Sequence, residues 1–215
     1  MDPVTQGTLG AALAQAGADK RRIRSFAVAG GISGLAPDLD IFISSATDPL
    51  LYLEFHRQFS HSLIFIPVGA TICALLLHGF LKKRLTWRET WLACLLGYAS
   101  HGLLDACTSF GTQLFWPFSD MRVAWNFVSV VDPLFSVPLA ALVGVAFLRR
   151  SRLYAFLGLG WVAVYLLIGL VTSRDKACDV LTEFDRQVAK RRKALIEEFE
   201  IDQSQESTPA TGCDP

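Results

Sequence analysis

The sequence has few charged side chains and no excess of either sign. Charged residues make up 19% of the 215 residues, and 20 lysines and arginines balance 20 aspartates and glutamates. Because proteins that bind nucleic acid usually carry a basic excess, the composition does not favour nucleic acid as a partner. The five cysteines form no CxxC pair and are odd in number. We therefore expect neither a zinc ribbon nor a disulfide framework.

Apolar residues are abundant instead. They make up 52% of the chain, and the mean hydropathy is +0.37. Several apolar runs approach the roughly 20 residues that a membrane-spanning helix needs. Spanning helices are predicted at 63–81, 89–111, 132–148 and 153–171, with a shorter helix at 25–35. The amino-terminal stretch has an acidic residue where a signal peptide has basic ones, so it is not expected to be one.

The predicted fold class is all-α, a multi-pass transmembrane bundle of about four or five membrane helices. Residues 1–172 are expected to form the membrane-embedded domain. Residues 173–215 are expected to form a charged tail that is helical at first and disordered at its Ser/Gln/Thr/Pro end.

The distribution of basic residues predicts the orientation of this bundle. Lysines and arginines cluster at 20–24, 82–88 and 149–152, whereas the loops 47–62 and 108–131 hold one arginine each. The positive-inside rule places the basic clusters in the cytoplasm and the other two loops outside. Most histidines and several aspartates then lie toward the outer side, which is the periplasmic face of a bacterial inner membrane.

A histidine and an aspartate lie four residues apart in the apolar stretch "YASHGLLDACTSFG". This spacing places His101 and Asp105 on one face of a helix. An aspartate deep in a membrane helix costs roughly 2.5–3.5 kcal/mol on insertion scales, so such residues usually face the bundle interior. The pair either joins helices by a hydrogen bond or holds a ligand that needs both side chains.

Two further motifs carry the same residue types. In "APDLD", Asp38 and Asp40 follow a proline, where they either cap the next element or point toward one ligand. In "HRQFSHS", His56 and His61 are five residues apart and need a turn to converge, or else they are solvated loop side chains.

Together these residues predict a metal site with mixed nitrogen and oxygen ligands. Such a set suits Zn²⁺, or Mn²⁺ and Fe²⁺ where oxygen dominates, and it is large enough for one or two ions. An arginine beside the metal could orient a phosphate group. The predicted ligands are Asp38, Asp40, His61, His101 and Asp105, and the predicted catalytic residues are His56, Arg57 and Asp132.

The motifs "GLAPDLD", "HRQFSHSLIFIPVGA", "GYASHGLLDACTSFG" and "VDPLF" resemble the YdjM-like family over residues 1–148. This family comprises LexA-regulated proteins of the bacterial inner membrane that are regarded as metal-dependent hydrolases and grouped distantly with zinc phospholipase C and P1 nuclease. The resemblance implies that His101 and Asp105 match the HxxxD pair that those zinc enzymes carry on a helix, and that Asp38 or Asp40 acts with His61. Many members carry a histidine near the amino terminus where this chain has Gln6, so the resemblance implies that one metal position is weaker or absent in this chain.

The function expected from these observations is metal-dependent hydrolysis of phosphoester bonds at the membrane, with lipids as the partners and as one candidate substrate. Two alternatives stay open at this point. One is a transporter in which His101 and Asp105 relay protons. The other is a stress-induced structural protein in which a metal stabilises the bundle. The oligomeric state is not predicted.

Overall fold

The computed structural model describes residues 1–42 and 56–206, and its regular structure is helical. The prediction of an all-α fold is confirmed, because an isolated bridge between Thr112 and Val123 is the one β-type pairing within these residues. In chain order the elements are α1 (Pro3–Gly17), α2 (Ile23–Leu35), a first 3₁₀-helix (Ala36–Phe42), a second 3₁₀-helix (Phe59–His61), α3 (Ile66–Leu81), α4 (Trp87–Ala106), α5 (Pro133–Arg149) and α6 (Arg152–Glu206).

Polar caps fix where the helices start. Asp2 precedes α1 and accepts a hydrogen bond from the Thr5 backbone N–H at 2.9 Å. Thr86 and Glu89 form a reciprocal capping box at the start of α4. These side chains satisfy backbone donors that have no partner inside the first helical turn. The sequence therefore defines the entry into both helices locally.

The first 3₁₀-helix continues α2 at the point where the sequence predicts a turn. Pro37 has no backbone N–H, so it cannot make the bond to the residue four before it that would extend the α-helix. The Ala36 N–H instead bonds to the Ser33 carbonyl, three residues back. The chain accordingly forms a 3₁₀-helix over Ala36–Phe42, and Asp38 and Asp40 lie on it.

Three helices, α1, α2 and α4, contact one another through glycines. A Cβ atom placed on Gly10 would lie 2.5 Å from the Gly30 carbonyl oxygen and 3.2 Å from the Gly97 Cα. A Cβ on Gly97 would overlap the backbone of Gly30 itself. Side chains at these positions would force the helices apart, so the absence of a Cβ sets their separation.

The described residues contain one helical segment that is long and apolar enough to cross a membrane, Arg152–Arg174 within α6. The apolar helices α3 and α5 are shorter, with 16 and 17 residues. Helix α3 begins at Ile66, later than the predicted residue 63, and Pro67 occupies its first turn. The number of membrane crossings therefore stays a prediction.

The three basic clusters meet at one end of the bundle. Arg24 donates from Nε to the Phe147 carbonyl at 3.0 Å, and Arg22 forms an ion pair with Glu89 at the start of α4. Arg152 bonds to Asp19 at 2.8 Å. Asp105 lies sixteen residues along α4 from Glu89, which is roughly 24 Å at the helical rise per residue. The predicted ligands on α4 are thus at the end opposite the basic clusters.

The chain divides into two compact units, Met1–Leu170 and Val171–Pro215. Helix α6 runs to Glu206, so the first part of the predicted tail is helical. The disorder predicted for the end of the tail falls on 207–215, which lie outside the described residues.

The glycine contact gives a direct test of the packing. We expect Gly97→Ala to lower the free energy of unfolding by about 1–3 kcal/mol or more, because the new methyl group overlaps the Gly30 backbone. Gly79→Ala is the matched control, since its Cβ would meet nothing within 4 Å. Thermal unfolding of both variants in detergent measures the difference, and equal midpoints for the two would contradict the packing described here.

Candidate metal centre

Helix α4 supplies a histidine whose ring orientation is fixed by α2. The Nδ1–H of His101 donates to the Gly34 carbonyl at 2.6 Å, so in the neutral ring the lone pair is on Nε2. His101 is four residues after Gly97 and Gly34 is four after Gly30. Because α4 and α2 are in close contact at Gly97 and Gly30, the His101 ring reaches the α2 backbone one helical turn further on.

The second 3₁₀-helix supplies His61, which is fully buried. The Ser60 hydroxyl donates to Asp40 Oδ2 at 2.7 Å, and the Nδ1 of His61 donates in turn to Ser60 Oγ at 2.9 Å. Its Nε2 has no hydrogen-bond partner within the described residues and carries the lone pair when the ring is neutral. In their neutral form both imidazoles thus present an unprotonated nitrogen, which is the form that binds a metal.

Two carboxylates complete the group. Asp38 Oδ1 lies 3.1 Å from His101 Nε2 and 3.5 Å from His61 Nε2. Asp105 Oδ2 lies 3.4 Å from His61 Nε2 and 3.6 Å from His101 Nε2. All four ligand atoms are within 4.8 Å of one another, so Asp38, His61, His101 and Asp105 could hold a metal ion.

The hydrogen-bonding state of the site fits a bound cation. His61 Nε2 and Asp105 Oδ2 are buried and have no hydrogen-bond partner in the described part of the chain. Leaving such an atom unsatisfied costs about 1–3 kcal/mol, and here two of them face each other. The pKa of His61 shows the same preference for positive charge. Burial lowers it, yet the nearby carboxylates of Asp105, Asp38 and Asp40 outweigh burial and raise it to about 10, so without an ion the ring favours its charged form.

Asp40 is not brought into the four-atom group but lies behind His61. Its Oδ2 accepts from Ser60 and from the Arg57 backbone N–H at 3.1 Å, and its Oδ1 accepts from His56 Nδ1 at 2.8 Å. Burial raises the pKa of Asp40, but hydrogen bonds with His56, His61 and Ser60 outweigh this effect and lower it. Asp40 therefore orients His61, as carboxylates commonly do behind a metal-binding histidine.

Arg57 places a buried guanidinium beside the group. The residue is 7% exposed, and its Nε lies 3.3 Å from Asp105 Oδ2 and has no hydrogen-bond partner among the described residues. Its Nη1 donates to Thr108 Oγ1 at 3.4 Å, and the guanidinium lies 5.5 Å from the Phe110 ring centre. The backbone of Arg57 is left-handed, with φ of 63°. Such a conformation in a residue with a side chain marks a position held by its surroundings.

The other two predicted catalytic residues lie in different settings. His56 is 23% exposed and pairs with Asp40 at the edge of the site. Asp132 caps α5, where it accepts from the backbone N–H groups of Leu134 and Phe135 and from the Tyr165 hydroxyl at 2.6 Å. The structure does not bring Asp132 to the metal group. An aspartate followed by proline is also the pattern of a helix start, and that role accounts for it.

The structure adds Gln6 to the site as a donor. This residue is fully buried on α1, and its Nε2 donates to Asp105 Oδ1 at 2.8 Å. The amino group of Met1 contacts the same oxygen. In the sequence, Gln6 stands where many family members have a histidine. It is also one helical turn before Gly10, and this spacing indicates that it faces α2 and α4.

The comparisons with known proteins agree with the motifs. The chain matches the model of the YdjM inner membrane protein family over residues 1–175. It is 26% identical over 156 residues to the uncharacterized protein YfhP of Bacillus subtilis (strain 168), which covers 72% of this chain and 47% of that protein. It is 30% identical over 106 residues to the inner membrane protein YbcI of Escherichia coli (strain K12), covering 47% of this chain and 60% of the relative. The chain thus spans about half the length of the curated relatives it matches. No solved structure matches it.

Zinc binding by single-residue variants tests the metal group. We expect the protein in detergent to bind zinc, and we expect His61→Ala to weaken binding by at least about 100-fold because it removes one of four ligands. Asp40→Asn, which disturbs the orientation of His61 without removing a ligand, should weaken binding by about 10–100-fold.

His78→Ala is the matched control, since His78 bonds to Thr90 near the start of α4, away from the group. Competition with a chromophoric chelator gives the zinc dissociation constants of the parent and of each variant. Equal losses in the His61 and His78 variants would contradict the assignment.

Proposed function

We propose that this chain, which belongs to the YdjM inner membrane protein family, is a membrane-bound metal-dependent hydrolase of phosphoester bonds. Membership of the family places the chain in the bacterial inner membrane. The observation that carries the proposal is the buried Arg57, which lies beside a group suited to a cation. Arg57 Nε has no hydrogen-bond partner within the described residues, so the guanidinium has a donor left for an anion that also meets the ion, and a phosphoryl group is such an anion.

The distances within the group favour zinc. With bonds of about 2.0–2.1 Å, the ligands of a tetrahedral zinc ion are about 3.3–3.4 Å apart. The four nitrogen–oxygen distances in the group are 3.1, 3.5, 3.4 and 3.6 Å. Two imidazoles and two carboxylates also suit manganese or iron, which are the alternatives. The four atoms make one ligand set, so the described residues provide for one ion.

The proposed chemistry divides between the ion and the side chains. When bound, a divalent ion supplies Lewis acidity toward water and toward a phosphoryl oxygen. Arg57 binds the remaining phosphoryl oxygens and stabilises the charge that develops on them. His56 is partly exposed at the edge of the site and is held by Asp40, so it is placed to give a proton to the leaving oxygen.

The exposure of the ligand side chains indicates the side from which a substrate would approach. Asp38 has a side chain that is 26% exposed, whereas the side chains of the other three ligands are fully buried. Substrate therefore reaches the group from the Asp38 side. An apolar groove of about 230 Å³ between α2 and α3 is lined by Leu39, the next residue in the chain. This neighbourhood supports a substrate with an apolar chain, such as a phospholipid.

The proposed site faces the periplasm. The basic clusters lie together at the opposite end of α4, and the positive-inside rule assigns that end to the cytoplasm.

A second candidate function is structural, and the completeness of the ligand set favours it. Zinc sites with four protein ligands usually stabilise folds, whereas catalytic sites keep a position open. In this case the ion would join α4 to the two 3₁₀-helices without turnover. Chelation would then lower the unfolding temperature, and no phosphoester would be hydrolysed by the zinc-loaded protein.

The two candidates are separated by an arginine variant. In the hydrolase, we expect Arg57→Met to lower kcat/KM at least about 100-fold, because Arg57 contacts the phosphoryl group, while zinc content stays at the parental level. The assay uses the full chain in detergent with chromogenic phosphate mono- and diesters and labelled phospholipids.

Arg122→Met, a change of an exposed arginine in the loop after α4, is the matched control and should retain parental activity. A zinc-loaded parent that cleaves none of these substrates would refute the hydrolase and leave the structural candidate.

A further inference from the structure

The side of Asp105 that faces away from the metal group is held by α1. Gln6 Nε2 donates to Asp105 Oδ1 at 2.8 Å, and it lies 3.5 Å from the His101 carbonyl oxygen. An amide must present its nitrogen to a carboxylate, because two facing oxygens would repel, so the direction of this bond is fixed. Gln6 is therefore a donor shared between the two predicted ligands of α4.

We propose that Gln6 is a positioning residue that orients the Asp105 carboxylate so that Oδ2 faces the metal. This inference rests on the proposed metal centre. A carboxylate rotates easily about its last side-chain bond, and its two oxygens are equivalent until a neighbour distinguishes them. The bond from Gln6 holds Oδ1, which the amino group of Met1 also contacts, and Oδ2 then lies 3.4 Å from His61 Nε2 and 3.6 Å from His101 Nε2.

The backbone around Gln6 supports this role. A Cβ on Gly34 would lie 2.9 Å from the Gln6 carbonyl oxygen, so α1 and α2 are in close contact at this level. Gly34 also accepts the hydrogen bond from His101 Nδ1. One close contact between helices thus orients both α4 ligands, the histidine through Gly34 and the aspartate through Gln6.

An amide suits this position electrostatically. Asp105 already lies near Arg57 and the amino group of Met1. A neutral donor fixes the carboxylate without adding charge that would repel a metal ion. Partners of this kind typically contribute 10–100-fold to metal affinity.

Gln15 provides a matched control on the same helix. It is also fully buried, and its Nε2 donates to the Val143 carbonyl at 3.3 Å. Within the described part of the chain, its Oε1 lacks a hydrogen-bond partner, as does that of Gln6. The hydrogen bond that Gln15 donates does not involve any of the four ligands of the metal group. Substitution of Gln15 therefore measures the cost of losing a buried amide on α1 without disturbing Asp105.

The experiment compares Gln6→Met and Gln15→Met in the full chain in detergent. Methionine has nearly the same size as glutamine but no donor. We expect Gln6→Met to raise the zinc dissociation constant about 10–100-fold and to shift the visible bands of the cobalt-substituted protein. Gln15→Met should keep the parental constant and bands, while both variants lower the unfolding temperature of the metal-free protein by similar amounts.

Gln6→Asn is a second variant in case the methionine variant does not fold. Its amide is one methylene too short to reach Asp105, so the same loss of affinity is expected. A parental zinc constant and cobalt spectrum in either Gln6 variant, with binding lost in His61→Ala, would overturn the role of Gln6 and leave the metal centre standing. A parent that binds no zinc would overturn both.

Discussion

The close contact of three helices at glycine is the constraint on which the site depends. Gly10, Gly30 and Gly97 let the backbones of α1, α2 and α4 approach more closely than any side chain would permit. One turn of helix separates these residues from Gln6, Gly34 and His101. Because residues four apart lie on the same face of a helix, the contact carries those three groups to one place. The chemistry at one level of the bundle is thus fixed by packing at the level below.

The sequence predicts the α4 part of the site well and the 3₁₀ part incompletely. His101 and Asp105 are four apart in a helix, and that spacing alone puts them on one face. Asp38 and Asp40 follow Pro37, where the sequence does not distinguish a turn from a 3₁₀-helix. In a helix with three residues per turn, positions two apart point in different directions. Asp38 therefore faces the imidazole nitrogens, while Asp40 faces the rear of His61.

Helix boundaries explain the other differences from the sequence. The apolar run that begins at residue 63 extends beyond α3, because residues 62–65 form a turn before the helix starts at Ile66. Asp132 resembles a ligand in composition, but its neighbours in the chain are the free N–H groups of α5, which it caps. Hydropathy and residue type do not show where a helix begins. The side chains that cap a helix start do show it, but they have the same chemistry as metal ligands.

Charge balance connects the proposed ion to the proposed substrate. The side chains of the site include three carboxylates, from Asp38, Asp40 and Asp105, and one guanidinium, from Arg57. Histidines that bind a metal are neutral, and the buried amino group of Met1 adds one positive charge at Asp105, so these groups together leave one negative charge. One divalent ion then leaves a buried excess of one positive charge, and a second ion would increase that excess unless an anion accompanied it. The same balance lets a phosphoryl group enter beside Arg57 without meeting a net negative site.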